Sequence, residues 1–173
     1  KDDRLVLLQT NYYTDNTNFV SIIIYDITNP GEPQKIATTR QEGWYNSSRM
    51  VGDYVYLISD CSINVTDAKK DDPSTFVPVI EENGVCEPVP ADSIYLIESS
   101  ESTTYAVITT LDISKIGEPE STAILGDCGH LYASSKGLFI CESAQDEKYQ
   151  EIFFALKDYE FKDYYRRENE TRV

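Results

Sequence analysis

Residues 25–33, YDITNPGEP, decide the fold of this chain, because residues 111–119, LDISKIGEP, repeat them. Six of the nine positions are identical or exchange Ser for Thr. An apolar run precedes each copy and a turn containing Gly and Pro ends it, which is the pattern of a β-strand that leaves its sheet. Two copies with the same order of strand and turn indicate a repeat architecture.

The aspartate of each copy has a structural interpretation. Asp26 and Asp112 stand where the strand gives way to the turn. A carboxylate at such a position accepts hydrogen bonds from the N–H groups of the turn. We therefore expect both side chains to shape turns rather than to take part in catalysis.

The pattern around the two copies predicts an all-β fold. Short apolar or alternating runs, bounded by turn residues, mark the strands. They are residues 4–9, 20–27, 35–40, 46–51, 54–59, 105–113, 122–126, 131–135 and 138–142. With strands labelled A to D from the inside outward, this order predicts a partial β-propeller of four-stranded antiparallel blades. Residues 1–173 then form a single propeller segment with one complete blade and two partial blades.

Two stretches depart from the repeat. Residues 60–103 form a long loop insertion with several prolines and many acids, and a loop of that length is usually functional. Residues 144–165 place apolar side chains at helical spacing behind a start that resembles a capping box, so we expect one helix there. A competing interpretation makes residues 152–156 a strand.

The predicted blades do not close a ring. One complete and two partial blades leave two open sheet edges, which natural proteins avoid. We therefore expect this chain to be part of a longer polypeptide or to pair edge to edge with a second copy.

The charge of the chain restricts its partners. Lys and Arg number 15 against 30 Asp and Glu, which gives a formal net charge of −15. Nucleic acids and anionic membrane surfaces would be repelled, so we expect neither as a partner. No apolar run is long enough to cross a bilayer. Because Lys1 is not an initiator methionine, a removed export segment fits the chain, and we expect a secreted or cell-surface protein.

The four cysteines fit an exported protein. Cys61 and Cys86 bracket a long loop within the insertion, and we predict a disulfide between them. Cys128 and Cys141 flank one hairpin out of direct register, and they are the candidates for a second disulfide. Since the chain has no C-x-x-C spacing and a single His, we expect no structural zinc site.

Three N-x-Ser/Thr sequons begin at Asn46, Asn64 and Asn169. This sequon is the acceptor for N-glycosylation, although it also occurs by chance. It therefore has meaning only for a chain that is exported in a host that uses this pathway.

Three segments resemble a known family: residues 22–33 (IIIYDITNPGEP), 47–59 (SSRMVGDYVYLIS) and 111–120 (LDISKIGEPE). They look like bacterial and archaeal secreted proteins with a C-terminal β-propeller domain, distant relatives of the LVIVD and WD-repeat propellers. The resemblance covers the strand framework and implies an extracytoplasmic propeller that is calcium-tolerant or purely structural. It carries no catalytic residues over to this chain.

The long connections of the predicted blades emerge on one side, which we call the loop face. Residues 11–18, residues 60–103 and the chain from residue 142 onward each lie between a B and a C strand. The B-to-C and D-to-A connections of a propeller leave the same face, and loops on a rigid scaffold carry function. The candidate binding residues on this face are Tyr12, Tyr13, Trp44, Tyr45 and His130. Exposed aromatic rings are common in recognition, while packing in the core or at the rim is the alternative for each ring.

No motif in the sequence predicts catalysis or a firm metal site. His130 has no nucleophile motif around it, and it takes the place that Trp44 takes in the first repeat. Acid pairs such as Asp71-Asp72, Glu81-Glu82 and Asp2-Asp3 suit Ca²⁺, although the chain has no D-x-D-x-D-G loop. We therefore keep Ca²⁺ as a candidate ion and expect no other cofactor.

These observations favour an extracytoplasmic, non-enzymatic binding or scaffold module that contacts a protein or a glycan through the loop face. One alternative is a hydrolase or lyase whose active site is completed by blades outside this chain. Another is an assembly unit that pairs through its sheet edges.

Overall fold

A computed structural model of the chain describes residues 3–12, 18–82, 84–96, 102–116, 119–126, 128, 130–134, 137–143 and 149–155. These residues form thirteen β-strands and three short 3₁₀ turns. The strands are β1 (Arg4–Tyr12), β2 (Asn18–Asp26), β3 (Gln34–Glu42), β4 (Trp44–Val51), β5 (Tyr54–Ser62), β6 (Val79–Glu82), β7 (Val85–Pro88), β8 (Ile94–Leu96), β9 (Thr104–Asp112), β10 (Glu120–Leu125), β11 (His130–Ser134), β12 (Gly137–Ser143) and β13 (Tyr149–Ala155). The 3₁₀ turns are Val65–Asp67, Pro73–Thr75 and Ala91–Ser93.

The strands form three sheets in the predicted blade order. The first sheet runs β1-β2-β3-β6-β7, the second β4-β5-β9-β10-β8, and the third β11-β12-β13. Paired strands are antiparallel except β8, which runs parallel to β10. The prediction of an all-β fold of propeller blades is confirmed. The order β1-β2-β3 matches that expected for strands B to D, and the order β4-β5-β9-β10 matches that expected for strands A to D.

Apolar side chains hold the three sheets against one another. Ile22 of β2 and Leu57 of β5 belong to one buried cluster between the first and second sheets. Ile58 of β5 and Ile140 of β12 belong to another between the second and third sheets. Because successive residues of a strand point to opposite faces, β5 supplies both clusters. Each fully buried side chain of this size contributes about 1.5–3 kcal/mol, which makes the stacked sheets the main source of stability.

The two repeated turns have the predicted geometry. Asp26 Oδ1 accepts a hydrogen bond from the Thr28 N–H at 2.9 Å, and Asp112 Oδ1 accepts one from the Ser114 N–H at 2.9 Å. Arg4 Nη1 also lies 3.0 Å from Asp26 Oδ2. The hydrogen bonds from Thr28, with a smaller effect of Arg4, lower the pKa of Asp26. The expected turn-forming role of both aspartates is therefore confirmed.

The insertion carries secondary structure that the sequence analysis did not predict. Its hairpin β6–β7 extends the first sheet beyond β3, and β8 extends the second sheet beyond β10. These strands have only three or four residues each, and prolines and acids separate them, so no periodicity marks them in the sequence. A single insertion thus covers part of the outer strand of two neighbouring blades.

The predicted helix is wrong over β13. Residues Tyr149–Ala155 form a strand that pairs with β12 from Ser143↔Tyr149 to Gly137↔Ala155. The run IFFA favours a strand because β-branched and aromatic residues suit a sheet, and pairing with β12 outweighs the helical propensity of the flanking residues. The competing strand interpretation is the better one, and residues 144–148 and 156–165 lie outside the described residues.

The predicted disulfide between Cys61 and Cys86 is also wrong. Both are free thiols. Cys61 is buried in β5, whereas Cys86 is exposed on β7 at the edge of the other sheet, where its Sγ lies 3.5 Å from Glu81 Oε2. Burial, with a smaller effect of Glu42, raises the pKa of Cys61. The candidate second disulfide involves Cys141, whose side chain lies outside those described.

Candidate binding surface

An exposed aromatic pair stands at the start of β4, the innermost strand of the second sheet. Trp44 is 53% exposed and Tyr45 is 45% exposed, although they follow a buried link from β3. Neighbouring residues of a strand point to opposite faces, so the two rings lie on either side of β4. Both rings are therefore accessible to solvent at the first residues of the strand.

Polar groups adjoin both rings. The register of β4 on β5 shifts between Tyr45 and Ser47, which places Asn46 in a bulge. Asn46 Nδ2 donates to Asp60 Oδ2 at 2.8 Å, and Asp60 pairs with Trp44 across the ladder. We call the group Trp44, Tyr45, Asn46, Ser48 and Asp60 the Trp44 surface. Trp44 and Asp60 lie on one face of β4, and Tyr45 and Ser48 lie on the other, so this surface surrounds the exposed start of the strand.

The second ring is held by a hydroxyl on its own strand. The Tyr45 hydroxyl and Ser48 Oγ lie 3.0 Å apart, and either can donate. A bulge re-aims side chains and is common next to functional sites. The bulge leaves Asn46 without a partner residue in the ladder, and its side chain bonds to Asp60 instead.

Gly43 forms the close connection between β3 and Trp44, the first residue of β4. Gly43 has a φ of +112°, and a Cβ built on it would lie 2.7 Å from the carbonyl oxygen of Asp60. Its N–H donates to the Asn18 carbonyl at 2.7 Å. A side chain would meet backbone at this point and would also require a strained conformation, so only glycine lets β3 pass this closely into β4.

A buried polar network lies behind the surface. Gln41 Nε2 donates to Ser59 Oγ at 2.8 Å and to the Val107 carbonyl at 3.2 Å, and the Ser59 hydroxyl donates to the Glu42 carbonyl at 2.7 Å. Gln41 and Ser59 are fully buried. These bonds join the first sheet to the second next to Tyr45, which pairs with Ser59 in the ladder. Gln41 Oε1 is buried and has no hydrogen-bond partner among the described residues.

The same link also holds the insertion. A Glu42 carboxylate oxygen accepts a hydrogen bond from the Val79 N–H at 3.1 Å. Burial raises the pKa of Glu42, and the bond from Val79 opposes that rise. The start of β6 is therefore tied to the residue that precedes Gly43.

Of the other predicted site residues, the structure describes the backbone of Tyr12 and of His130. Tyr12 is the last residue of β1 and pairs with Asn18, and His130 is the first residue of β11 and pairs with Cys141. His130 thus begins its strand as Trp44 begins β4, in agreement with the repeat. The side chains of Tyr12 and His130, and the whole of Tyr13, lie outside what the structure describes.

Sequence reasoning missed the polar half of the surface. Asn46, Ser48 and Asp60 belong to it only because of the bulge and the pairing of β4 with β5. No local sequence pattern predicts either the bulge or the pairing of these two strands. Asn46 was marked by its sequon, which does point to an exposed position.

The described residues contain no group of three or more His, Cys, Asp or Glu side chains arranged to hold a metal ion. Within the same residues, no helix has the length and apolar character needed to span a membrane. One acid of the pairs considered for Ca²⁺ has another partner, since Glu81 forms an ion pair with Arg40.

Comparison with known proteins gives one match. The model of the family described as Beta propeller domain matches residues 2–172. No curated protein and no solved structure matches the chain.

Proposed function

Since this chain belongs to the β-propeller domain family, we propose that it is an extracytoplasmic, non-enzymatic binding module that contacts a protein or a glycan through the Trp44 surface. The observation that supports this most is the exposure of Trp44 and Tyr45 at the start of a strand whose backbone is tightly held. Propeller domains offer a rigid frame of this kind, and their connections carry function.

The chemistry of the surface suits recognition. Aromatic side chains give a large contact area while losing few rotatable bonds, and Trp and Tyr are enriched among the residues that dominate binding energy. Asn46 and Asp60 offer hydrogen-bonding groups beside the Trp44 ring, and such groups fix the orientation of a sugar or a peptide. The buried network next to Tyr45 lowers the cost of ordering the surface when a partner binds.

The charge of the chain narrows the class of partner. A net charge of −15 repels anionic ligands at long range and attracts cationic ones. The proposal therefore favours two probes, which are neutral oligosaccharides and Lys-rich peptides.

The chain contains a built-in reporter for the test, because Trp44 is its only tryptophan. We expect one probe class to change the Trp44 emission saturably. Tyr45→Ala should weaken that binding at least tenfold, about 1.4 kcal/mol, because a ring at the contact is lost. Trp44→Ala, followed by calorimetry, should weaken it at least as much.

The matched control is Leu96→Ala, which removes an exposed apolar side chain from β8 at the outer edge of the second sheet. It should bind as the wild type does. Binding that survives both aromatic substitutions, or a Trp44 emission unchanged by either probe class, contradicts the proposed site.

A further inference from the structure

The sequons of the chain lie in two different structural settings. Asn46 lies in the bulge of β4, and Asn64 precedes the 3₁₀ turn Val65–Asp67 inside the insertion. Asn169 lies outside the described residues. The binding surface accounts for Asn46, whereas nothing in the proposed function uses Asn64.

Asn64 and the hydroxyl of its sequon are already in contact. Asn64 Oδ1 accepts hydrogen bonds from the Thr66 hydroxyl at 2.8 Å and from the Thr66 N–H at 3.2 Å. Asn64 Nδ2 donates to Asp67 Oδ2 at 2.6 Å. Asn64 and Thr66 are both exposed, and Val65 between them is 63% exposed. The amide nitrogen, the hydroxyl and the intervening backbone can therefore be reached together from solvent.

The sequon at Asn46 differs in where its partners lie: they belong to β4 and β5, whereas Asp67, the partner of the Asn64 amide, belongs to the same exposed turn. The amide nitrogen of Asn46 is bonded to Asp60, and the hydroxyl of Ser48 is engaged by the Tyr45 hydroxyl. The backbone on both sides of Asn46 is held in the ladder with β5. Access of an enzyme to this sequon would require β4 to leave the second sheet, which the exposed 3₁₀ turn does not require.

We propose that Asn64 is an acceptor site for an N-linked glycan, with Thr66 as the hydroxyl that the transferring enzyme recognises. The proposal rests on the proposed export of the chain, because the reaction takes place on exported proteins. The co-substrate is an oligosaccharide linked to a polyprenyl phosphate carrier.

The reaction is a group transfer without a redox step. A bond forms between Asn64 Nδ2 and the anomeric carbon of the oligosaccharide, and the bond from that carbon to the phosphate oxygen of the carrier breaks. The lipid phosphate leaves with the electron pair of the broken bond, and the proton lost by the nitrogen passes to that phosphate or to water. The product places a bulky, solubilising group on the insertion.

The test uses the purified, folded chain with a single-subunit oligosaccharyltransferase that accepts N-x-Ser/Thr and a polyprenyl-linked oligosaccharide. Glycopeptide mass spectrometry measures the occupancy of each asparagine. We expect occupancy of Asn64 to exceed that of Asn46 at least tenfold. Thr66→Ala should lower occupancy of Asn64 at least tenfold, while Thr66→Ser should retain most of it.

Two controls make the result decisive. Asn64→Gln should abolish the modification of this peptide, and Asn46→Gln should leave it unchanged. Absence of glycan at Asn64, or equal occupancy of Asn64 and Asn46, overturns the proposal. The assay needs neither the Trp44 surface nor export, so its failure is distinguishable from a failure of the proposed binding function.

Discussion

The insertion meets the first sheet and the second sheet through different kinds of contact. On the first sheet, β6 pairs antiparallel with β3, Arg40 forms an ion pair with Glu81, and Glu42 binds the Val79 N–H. On the second sheet, β8 pairs in parallel with β10 over three residues. Apolar side chains dominate there, in a buried cluster that joins Val77 and Val89 of the insertion to the second sheet.

This difference shows how a single insertion couples two blades. Its apolar contacts lie on the blade from which it emerges, and its polar contacts lie on the neighbouring blade. Apolar burial is non-directional and insensitive to pH, whereas ion pairs and buried carboxylates set register and respond to pH. The comparison therefore predicts that substitutions in the apolar contacts with the second sheet lower the free energy of unfolding strongly and independently of pH. Substitutions in the polar contacts with the first sheet should have smaller effects that depend on pH.

The largest expected effect is on the apolar side. Tyr105 of β9 is 7% exposed and belongs to the cluster that includes Cys61, Val77 and Val89. Tyr105→Ala should lower the free energy of unfolding by about 3 kcal/mol, because it removes a buried ring and leaves a cavity. The measurement is the urea midpoint and slope at two pH values, and the loss should be the same at both.

The matched control for Tyr105 is Tyr132→Ala on β11, since Tyr132 is 66% exposed and its ring centroid lies 5.8 Å from that of Phe139. This change should cost about 1 kcal/mol or less, as surface substitutions do. Equal losses from the two tyrosines would show that the insertion does not pack on the second sheet as described.

A smaller effect is expected on the polar side. The Arg40 guanidinium lies 4.6 Å from the centroid of the Phe19 ring and pairs with Glu81, and both charged side chains are 20% exposed. Arg40→Met keeps the apolar stem but removes both interactions, so it should cost about 1 kcal/mol. The loss should shrink in Arg40→Met/Glu81→Gln, because the carboxylate left without its partner is then also removed.

The exposed Arg49 supplies the control for this pair. Arg49→Met should change the free energy of unfolding by no more than about 0.5 kcal/mol. If Arg40→Met changes the free energy of unfolding as little as Arg49→Met does, the ion pair does not hold the hairpin β6–β7 to the first sheet.

The sequence predicted the framework of the blades but not the contacts that the insertion makes with them. The blade framework depends on local patterns, such as the apolar run before Asp26, so its strands and turns were predicted within a few residues. Trp44 and Tyr45 were expected in the link before a strand at residues 46–51, whereas they are the first two residues of β4. The contacts of the insertion join residues far apart in the chain, such as Arg40 with Glu81, and no local periodicity encodes them.

Two wrong predictions have the same origin. The disulfide between Cys61 and Cys86 assumed that the two ends of the loop between them meet, whereas the insertion spans two sheets and places the two thiols on different ones. The helix over residues 144–165 followed from spacing alone, and β12 then recruited Tyr149–Ala155 as a neighbouring strand. In both cases the partner of a segment, rather than its own sequence, decided the outcome.

The smallest expected effect concerns pH. Burial raises the pKa of Glu42 above its ordinary value of 4.5, so the folded chain holds this proton more tightly than the unfolded chain does. The free energy of unfolding then falls as the pH rises from about 4.5 through the folded pKa, because the unfolded state releases the proton first. Asp26 has the opposite sign, since its lowered pKa stabilises the fold above its unfolded pKa and the benefit is lost as the pH falls.

Glu42→Gln separates these two contributions. The amide oxygen can still accept the Val79 N–H but carries no charge, so the decline above pH 4.5 should flatten while the acid limb due to Asp26 remains. The measurement is the free energy of unfolding across this pH range, with the exposed Glu32→Gln as control. An unchanged slope in Glu42→Gln would mean that the link before Gly43 does not bury the charge, and the polar anchor of the insertion would then lie in Arg40 and Glu81 alone.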